Sequence, residues 1–249
     1  MDSNDVTILC LTSPIPIHPQ TRITDETLRA VRHHLPYAPI LILADGVRPE
    51  LEDRRQAYLQ YLDALDPWLR CNAGITIFRE HTHQTLMLHT ALSLVQTPFV
   101  LFQEHDLPLR TDADIDWNGI MQCIVAGEVD LVRFMLTESI HPEHEHLMCG
   151  RINPFGVPLV KTRQFSGWTH LASTAFYRKL LHGVTPSVNC FLEPYAQGRI
   201  ETGAWDDWRI SIYVPDETAA RRLYHLHGRG FHDGTDRADD QFLSSMTYR

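Results

Sequence analysis

Four short apolar runs punctuate the first 110 residues, at 6–11, 39–44, 74–78 and 99–103. Each is rich in β-branched, aliphatic or aromatic side chains, and the first and last meet proline: Pro14 and Pro16 follow one, Pro98 opens the other. Such runs predict strands, the last of them buried. Between them, residues 24–35, 51–65 and 85–95 place apolar side chains at helical spacing, as Leu28, Val31 and Leu35 do. Thr24-Asp25-Glu26-Thr27 supplies cap residues for the first helix. Strand and helix in alternation are the mark of parallel βαβ units.

Beyond Asp106 the alternation weakens. A helix is predicted over 115–125, strands over 130–136 and 157–165, a helix over 173–181 and a strand over 210–214. Residues 141–150 are polar and His-rich, 166–170 read as a turn, and 224–233 read as a loop dense in polar chemistry. No segment has linker composition. The prediction is one α/β domain over 1–249, Rossmann-like, with a mostly parallel central sheet, helices on both faces and an elaborated C-terminal half.

In open parallel sheets, ligands bind outside the carboxyl ends of the strands. Ser13-Pro14, Asp45-Gly46 and Glu104-His105-Asp106 all fall at such ends, so three ordinary motifs face one cleft. Glu104 and Asp106 are two residues apart and share a face of their strand. Two carboxylates held together repel unless a cation lies between them. Hard oxygen ligands of this kind suit Mg²⁺ or Mn²⁺.

Composition narrows the partners. The formal net charge is −9, which disfavours nucleic-acid phosphate or an anionic membrane. No apolar stretch approaches the roughly 20 residues of a membrane span. Five scattered cysteines with no CxxC pair predict free thiols in a reducing compartment, and an acidic N-terminus running into a strand is no signal peptide, so the expected location is cytoplasmic. Neither GxGxxG nor GxxxxGK[ST] is present, which argues against a nicotinamide dehydrogenase and a P-loop enzyme. A cleft with acids and no glycine cradle would hold a diphosphate through a metal.

At this point the chain resembles the glycosyltransferases of the GT-A fold. The first strand ends in what looks like their nucleotide-contacting loop, Leu11-Thr12-Ser13-Pro14-Ile15-Pro16. Asp45 stands where an acid commonly bonds the base. Residues 99–106 resemble the strand ending in an Asp-x-Asp metal motif, with Glu104 replacing the first Asp and Asp106 as the metal ligand. The resemblance implies a late-segment metal ligand, here His225 or His227, and a cation for the diphosphate, here Arg229. It implies residues 1–110 as a nucleotide-sugar half and 111–249 as an acceptor half. A proton acceptor after the acceptor-facing turn is also implied. Asp207, ahead of its neighbour Asp206, fits that position, with Glu193 as the rival; a helix cap is the plain alternative for the pair.

The resulting expectation is a Mn²⁺- or Mg²⁺-dependent transferase, inverting, that moves sugar from a nucleoside-diphosphate sugar to a glycan or other hydroxyl acceptor. The alternatives are a nucleotidyltransferase or a catalytically silent nucleotide-sugar-binding module of the same fold. Trp168, Trp205 and Trp208 are candidates to stack on sugar, or core residues. His141, His144, His146 and Cys149 have no standard zinc-finger spacing.

Overall fold

The computed structural model describes residues 2–69, 73–78, 80–186, 190–201 and 203–226. Its first strand, β1 (Val6–Thr12), is buried at every position. A strand covered on both faces needs an unbroken apolar run, and residues 6–11 are such a run. The other strands are β2 (Ile40–Ala44), β3 (Ala73–Ile77), β4 (Phe99–Glu104), β5 (Leu131–Arg133), β6 (Met148–Ile152), β7 (Leu159–Thr162), β8 (His170–Ser173) and β9 (Ile210–Tyr213). They join in one sheet ordered β3-β2-β1-β4-β8-β5-β9-β7-β6. β8 is antiparallel to both β4 and β5, and β7 to both β9 and β6. The remaining pairings are parallel, so β7 and β8 run against the other strands. The expected mostly parallel α/β sheet is present, and it continues unbroken through both halves of the chain.

Helices cover both faces, as expected. Ile8 and Cys10 pack with α1 (Arg22–His34), α2 (Arg55–Ala64) and α5 (Trp117–Val125). Leu9 and Leu11, alternating with them on β1, pack with α4 (His83–Ala91), α6 (Thr174–Leu180) and α7 (Leu192–Ile200). Two short helices, α3 (Asp66–Leu69) and α8 (Trp205–Trp208), complete the set among the described residues.

Several boundaries differ from expectation for identifiable reasons. Thr24–Thr27 lie inside α1, because Thr21 precedes the helix and its hydroxyl donates to Asp25 Oδ2 at 2.7 Å. The helix expected over 51–65 divides into a 3-10 segment, Pro49–Arg54, and α2, with Leu51 out of helical conformation at φ −115°. Asp116 caps α5 through Gly119 N (2.9 Å), and Ser173 caps α6 through Phe176 N (3.0 Å), so both helices start one residue after a cap. α7 was not expected, because it holds Pro194 and Gly198. Pro194 sits in the first turn, where its missing N–H leaves no bond unmade. The expected turn at 166–170 is the approach to β8, and the polar stretch 141–150 leads into β6.

The carboxyl edge of the sheet gathers the ends of β1, β2, β3, β4, β5 and β9. Because β8 is reversed, it brings its beginning, His170, to the same edge. The residues just before it, Ser166 to Thr169, therefore stand over the end of β4.

Candidate active site

Glu104 closes β4 and Asp106 follows two residues later. Glu193, from the first turn of α7, reaches the same place. Gly167 N lies 3.4 Å from Glu193 Oε2 and donates to it. A Cβ on Gly167 would stand 3.6 Å from Glu104 Oε1 and 3.6 Å from Glu193 Oε2. Gln84, at the start of α4, donates to Glu104 Oε1 at 3.0 Å and accepts from Leu192 N at 3.0 Å. Burial, Asp106 and Glu193 push the Glu104 carboxyl well above the usual range, against the pull of the Gln84 amide. Burial would raise Asp106 as well, but His105 and His225 outweigh it and hold that carboxyl low. The crowded acids therefore divide: Asp106 keeps its charge and Glu104 tends to hold a proton.

His225 Nε2 lies 3.5 Å from Asp106 Oδ2. It is carried there by a backbone strap. Leu226 N donates to Asp106 O (2.8 Å), Tyr224 N to Pro108 O (3.0 Å) and Arg110 N to Arg222 O (2.8 Å). His227 and Arg229, expected to complete the metal shell and hold the diphosphate, lie outside the described residues. One carboxylate and one imidazole are donors that a divalent ion such as Mn²⁺ accepts. Among the described residues, no three His, Cys, Asp or Glu side chains gather into a metal-binding group.

At the end of β2, Asp45 is 6 % exposed. Its Oδ1 accepts from Gly46 N (2.8 Å) and Thr82 N (2.7 Å), while its Oδ2 lies 2.7 Å from His81 Nδ1. Asp45 thereby ties the end of β2 to the segment entering α4. Gly46 is obligatory in that join, since a Cβ there would come within 2.1 Å of the Glu80 backbone. His83 follows at φ 58°, its Nε2 3.1 Å from His81 Nε2.

Ser13 is partly buried and Pro14 buried in the loop after β1. Thr12 O, just before them, accepts from Asp45 N at 2.9 Å, so the first two strand ends are joined directly. Farther along the loop, His18 stacks on Tyr61 at 4.0 Å and 15°. Burial, with His105 and Arg54 nearby, pushes its imidazole down to about 3.

Asp206 and Asp207 are elsewhere. They lie in α8, immediately before β9, at the amino edge of the sheet. β4, six residues long, spans about 17 Å between the two edges. Asp207 Oδ2 accepts from Ala204 N at 2.9 Å, and its carbonyl accepts from Lys179 Nζ. That is the cap arrangement. Trp205 and Trp208 share this edge, under Lys161 (4.5 Å) and Lys179 (4.3 Å) respectively. Trp168 is different: half-buried beside Gly167, it lies 5.4 Å from the Arg133 guanidinium at the carboxyl edge. His141 caps the 3-10 segment Pro142–Leu147 by accepting from Glu143 N at 3.4 Å.

The structure thus brings together Glu104, Asp106, Glu193 and His225, and joins Ser13-Pro14 to Asp45 along the same edge. It adds residues that sequence reasoning passed over: Gln84, Gly167, His81 and His83. Gly167 sat in plain view within a predicted turn. Gln84 had no sequence signal, because a glutamine near a helix start is ordinary.

Compared as a sequence, the chain matches no protein-family model and none of the curated proteins. Compared as a structure, it matches Staphylococcus aureus TarS 1–349 with a TM-score of 0.57 at 10% identity, over 91% of this chain and 60% of that one. The chain has the GT-A fold. TarS 1–349 in complex with UDP-GlcNAc matches this GT-A chain at TM-score 0.54 and 10% identity, over 98% of it and 63% of TarS. The mannosyltransferase PcManGT from Pyrobaculum calidifontis, in complex with GDP-Man and Mn²⁺, matches at 0.50 and 11%, over 88% and 60%. The chain spans about 60% of the length of these structures.

Proposed function

We propose that this chain is a glycosyltransferase that moves a sugar from a nucleoside-diphosphate sugar to an acceptor hydroxyl. The observation that carries this reading is the meeting of Glu104, Asp106 and Glu193 at the carboxyl edge of a GT-A sheet, with His225 delivered to Asp106. The like-folded proteins in complex with UDP-GlcNAc, or with GDP-Man and Mn²⁺, support the donor class.

In this reading residues 1–110 bind the nucleotide and 111–249 the acceptor. The Ser13-Pro14 loop and the Asp45 join flank the base. Asp45 Oδ2, 2.7 Å from His81 Nδ1, is the oxygen offered to a base N–H. Asp106 and His225 hold the divalent ion, Mn²⁺ or Mg²⁺, with His227 and Arg229 following on the same segment. When bound, the ion neutralises charge on the leaving diphosphate. Glu104, carrying a proton, donates to a donor hydroxyl. Glu193 takes the proton of the acceptor hydroxyl as that oxygen bonds to the anomeric carbon. The bond from that carbon to the diphosphate breaks, the electron pair leaves with the diphosphate, and the configuration inverts. Glu193 takes this role in preference to Asp207 and Asp206, because only Glu193 shares the edge with Glu104. Among the described residues no helix is long and apolar enough to cross a membrane. Cys10, Cys123, Cys149 and Cys190 are free thiols, which suits a reducing compartment such as the cytoplasm.

The test is a panel of nucleoside-diphosphate sugars with and without Mn²⁺, read as nucleoside diphosphate release and as thermal stabilisation. Stabilisation without release from any donor would reduce the protein to a binding module. Retained anomeric configuration in the product would end the inverting mechanism.

A further inference from the structure

Resting on that reading, we propose that Gln84 is a positioning residue that sets the spacing between Glu104 and Glu193, and that Gly167 keeps the gap between them open for the reacting hydroxyl. The orientation of the Gln84 amide follows from its partners. Leu192 N–H is a donor only, so the amide oxygen faces it, at 3.0 Å. The amide nitrogen must then be the end facing Glu104 Oε1, also at 3.0 Å. One side chain therefore bonds the acid at the end of β4 and the backbone one residue before the acid on α7. Its neighbour reinforces the join. Thr85 N and Thr85 Oγ1 both donate to Cys190 O (3.2 and 3.0 Å), and Cys190 N lies 3.0 Å from Thr85 Oγ1. The start of α4 is thus stapled to the approach to α7. Gly167 faces the space so defined: its absent side chain would stand 3.6 Å from an oxygen of each acid. A methyl group there makes ordinary contacts, and the Gly167 backbone is outside the left-handed region, so alanine fits the fold while filling the gap.

The experiment uses the full chain with UDP-GlcNAc, GDP-mannose and Mn²⁺, measuring nucleoside diphosphate release, donor affinity and amide hydrogen exchange. Gly167→Ala should keep donor affinity and lower kcat about 10–100-fold. Gln84→Met, of similar shape, should speed exchange at Leu192 and lower kcat about tenfold or more. Gln84→Glu keeps an acceptor for Leu192 N–H and loses the donor to Glu104, so Leu192 should stay protected while kcat still falls. Gly167→Ala turning over at the wild-type rate overturns the gap. Gln84→Met that frees Leu192 yet keeps kcat overturns the positioning. A wild type that releases diphosphate from neither donor, while active on another sugar nucleotide, moves the assay to that donor with the same outcomes. A wild type inactive on all of them overturns the transferase reading itself, and the positioning role with it.

Discussion

The two edges of the sheet treat the same residue type in opposite ways. At the amino edge Asp130 and Asp207 each have a local partner. Asp130 takes a bidentate pair of bonds from Arg209 at 2.9 and 2.8 Å, and Asp207 caps the turn that holds it. At the carboxyl edge Glu104, Asp106 and Glu193 converge, and burial, with the neighbouring carboxylates adding to it, drives Glu104 to hold a proton. A carboxylate in a helical first turn, such as Asp207, is easily satisfied by a nearby backbone N–H. Carboxylates drawn from separate elements into one cleft stay in conflict, and a conflict that the fold maintains is where chemistry is to be sought.

The sharpest way to break this contrast is to remove one acid from each edge. Glu193→Gln should lower kcat about 10²–10⁴-fold with donor affinity kept, the range for a lost general base. Asp207→Asn should turn over near the wild-type rate. The reverse pattern in diphosphate-release kinetics would move the site to the wrong edge for this fold.

A second comparison sets Asp106→Asn against Asp130→Asn. Nucleoside diphosphate with Mn²⁺ at a hundredfold excess over Kd stabilises a binding-competent protein by about 2.7 kcal/mol. The Asp106 variant should lose the metal-dependent part of that gain, and the Asp130 variant should keep it. Equal metal-dependent shifts in Tm would detach the ion from Asp106.

The third test is pH. His170 begins β8 beneath the turn that faces Glu104. Its Nδ1 donates to Trp168 O and its Nε2 accepts from Tyr177 OH, both at 2.6 Å. Burial pushes its imidazole down to about 3. Between its unfolded value near 6.5 and that folded value, the unfolded chain binds a proton that the folded chain refuses. Stability should therefore fall as pH drops below about 6.5, by up to about 1.4 kcal/mol per pH unit from this group. His170→Gln should flatten the slope in denaturant titrations. His18, also pushed down by burial, adds a slope of the same sign, and Glu104, pushed up by burial, opposes both between about pH 4.5 and 8. An unchanged slope in the variant would sink the assignment.

The smallest effect belongs to the amino edge. Arg209→Ala removes a partly exposed pair and should cost about 1 kcal/mol or less in chemical denaturation. Donor affinity should not move. A change in kcat would show that this edge is coupled to the chemistry after all.

The apolar runs alone determined β1, β2 and β4 and the helices between them, because a strand buried on both faces must be written as continuous hydrophobic sequence, and they marked β3 as well, although it lies half-buried at the sheet's end. They also placed Ser13, Asp45, Glu104 and Asp106 at strand ends, and hence at one edge. The weaker second half was legible only as fragments. β8 is four residues long, and its reversal between β4 and β5 depends on pairing partners distant in the chain. Tertiary structure alone decided which acids meet. α7 begins beside Gln84 at the carboxyl edge and runs back toward the amino edge. Glu193 at its start and Asp206-Asp207 beyond its end are therefore separated by the width of the sheet. Nothing local marks that separation, since both acid sites lie beside aromatic residues and both read as cleft or cap. The direction of one helix, set by its packing on α4 and its bond to Gln84, assigned them to opposite edges.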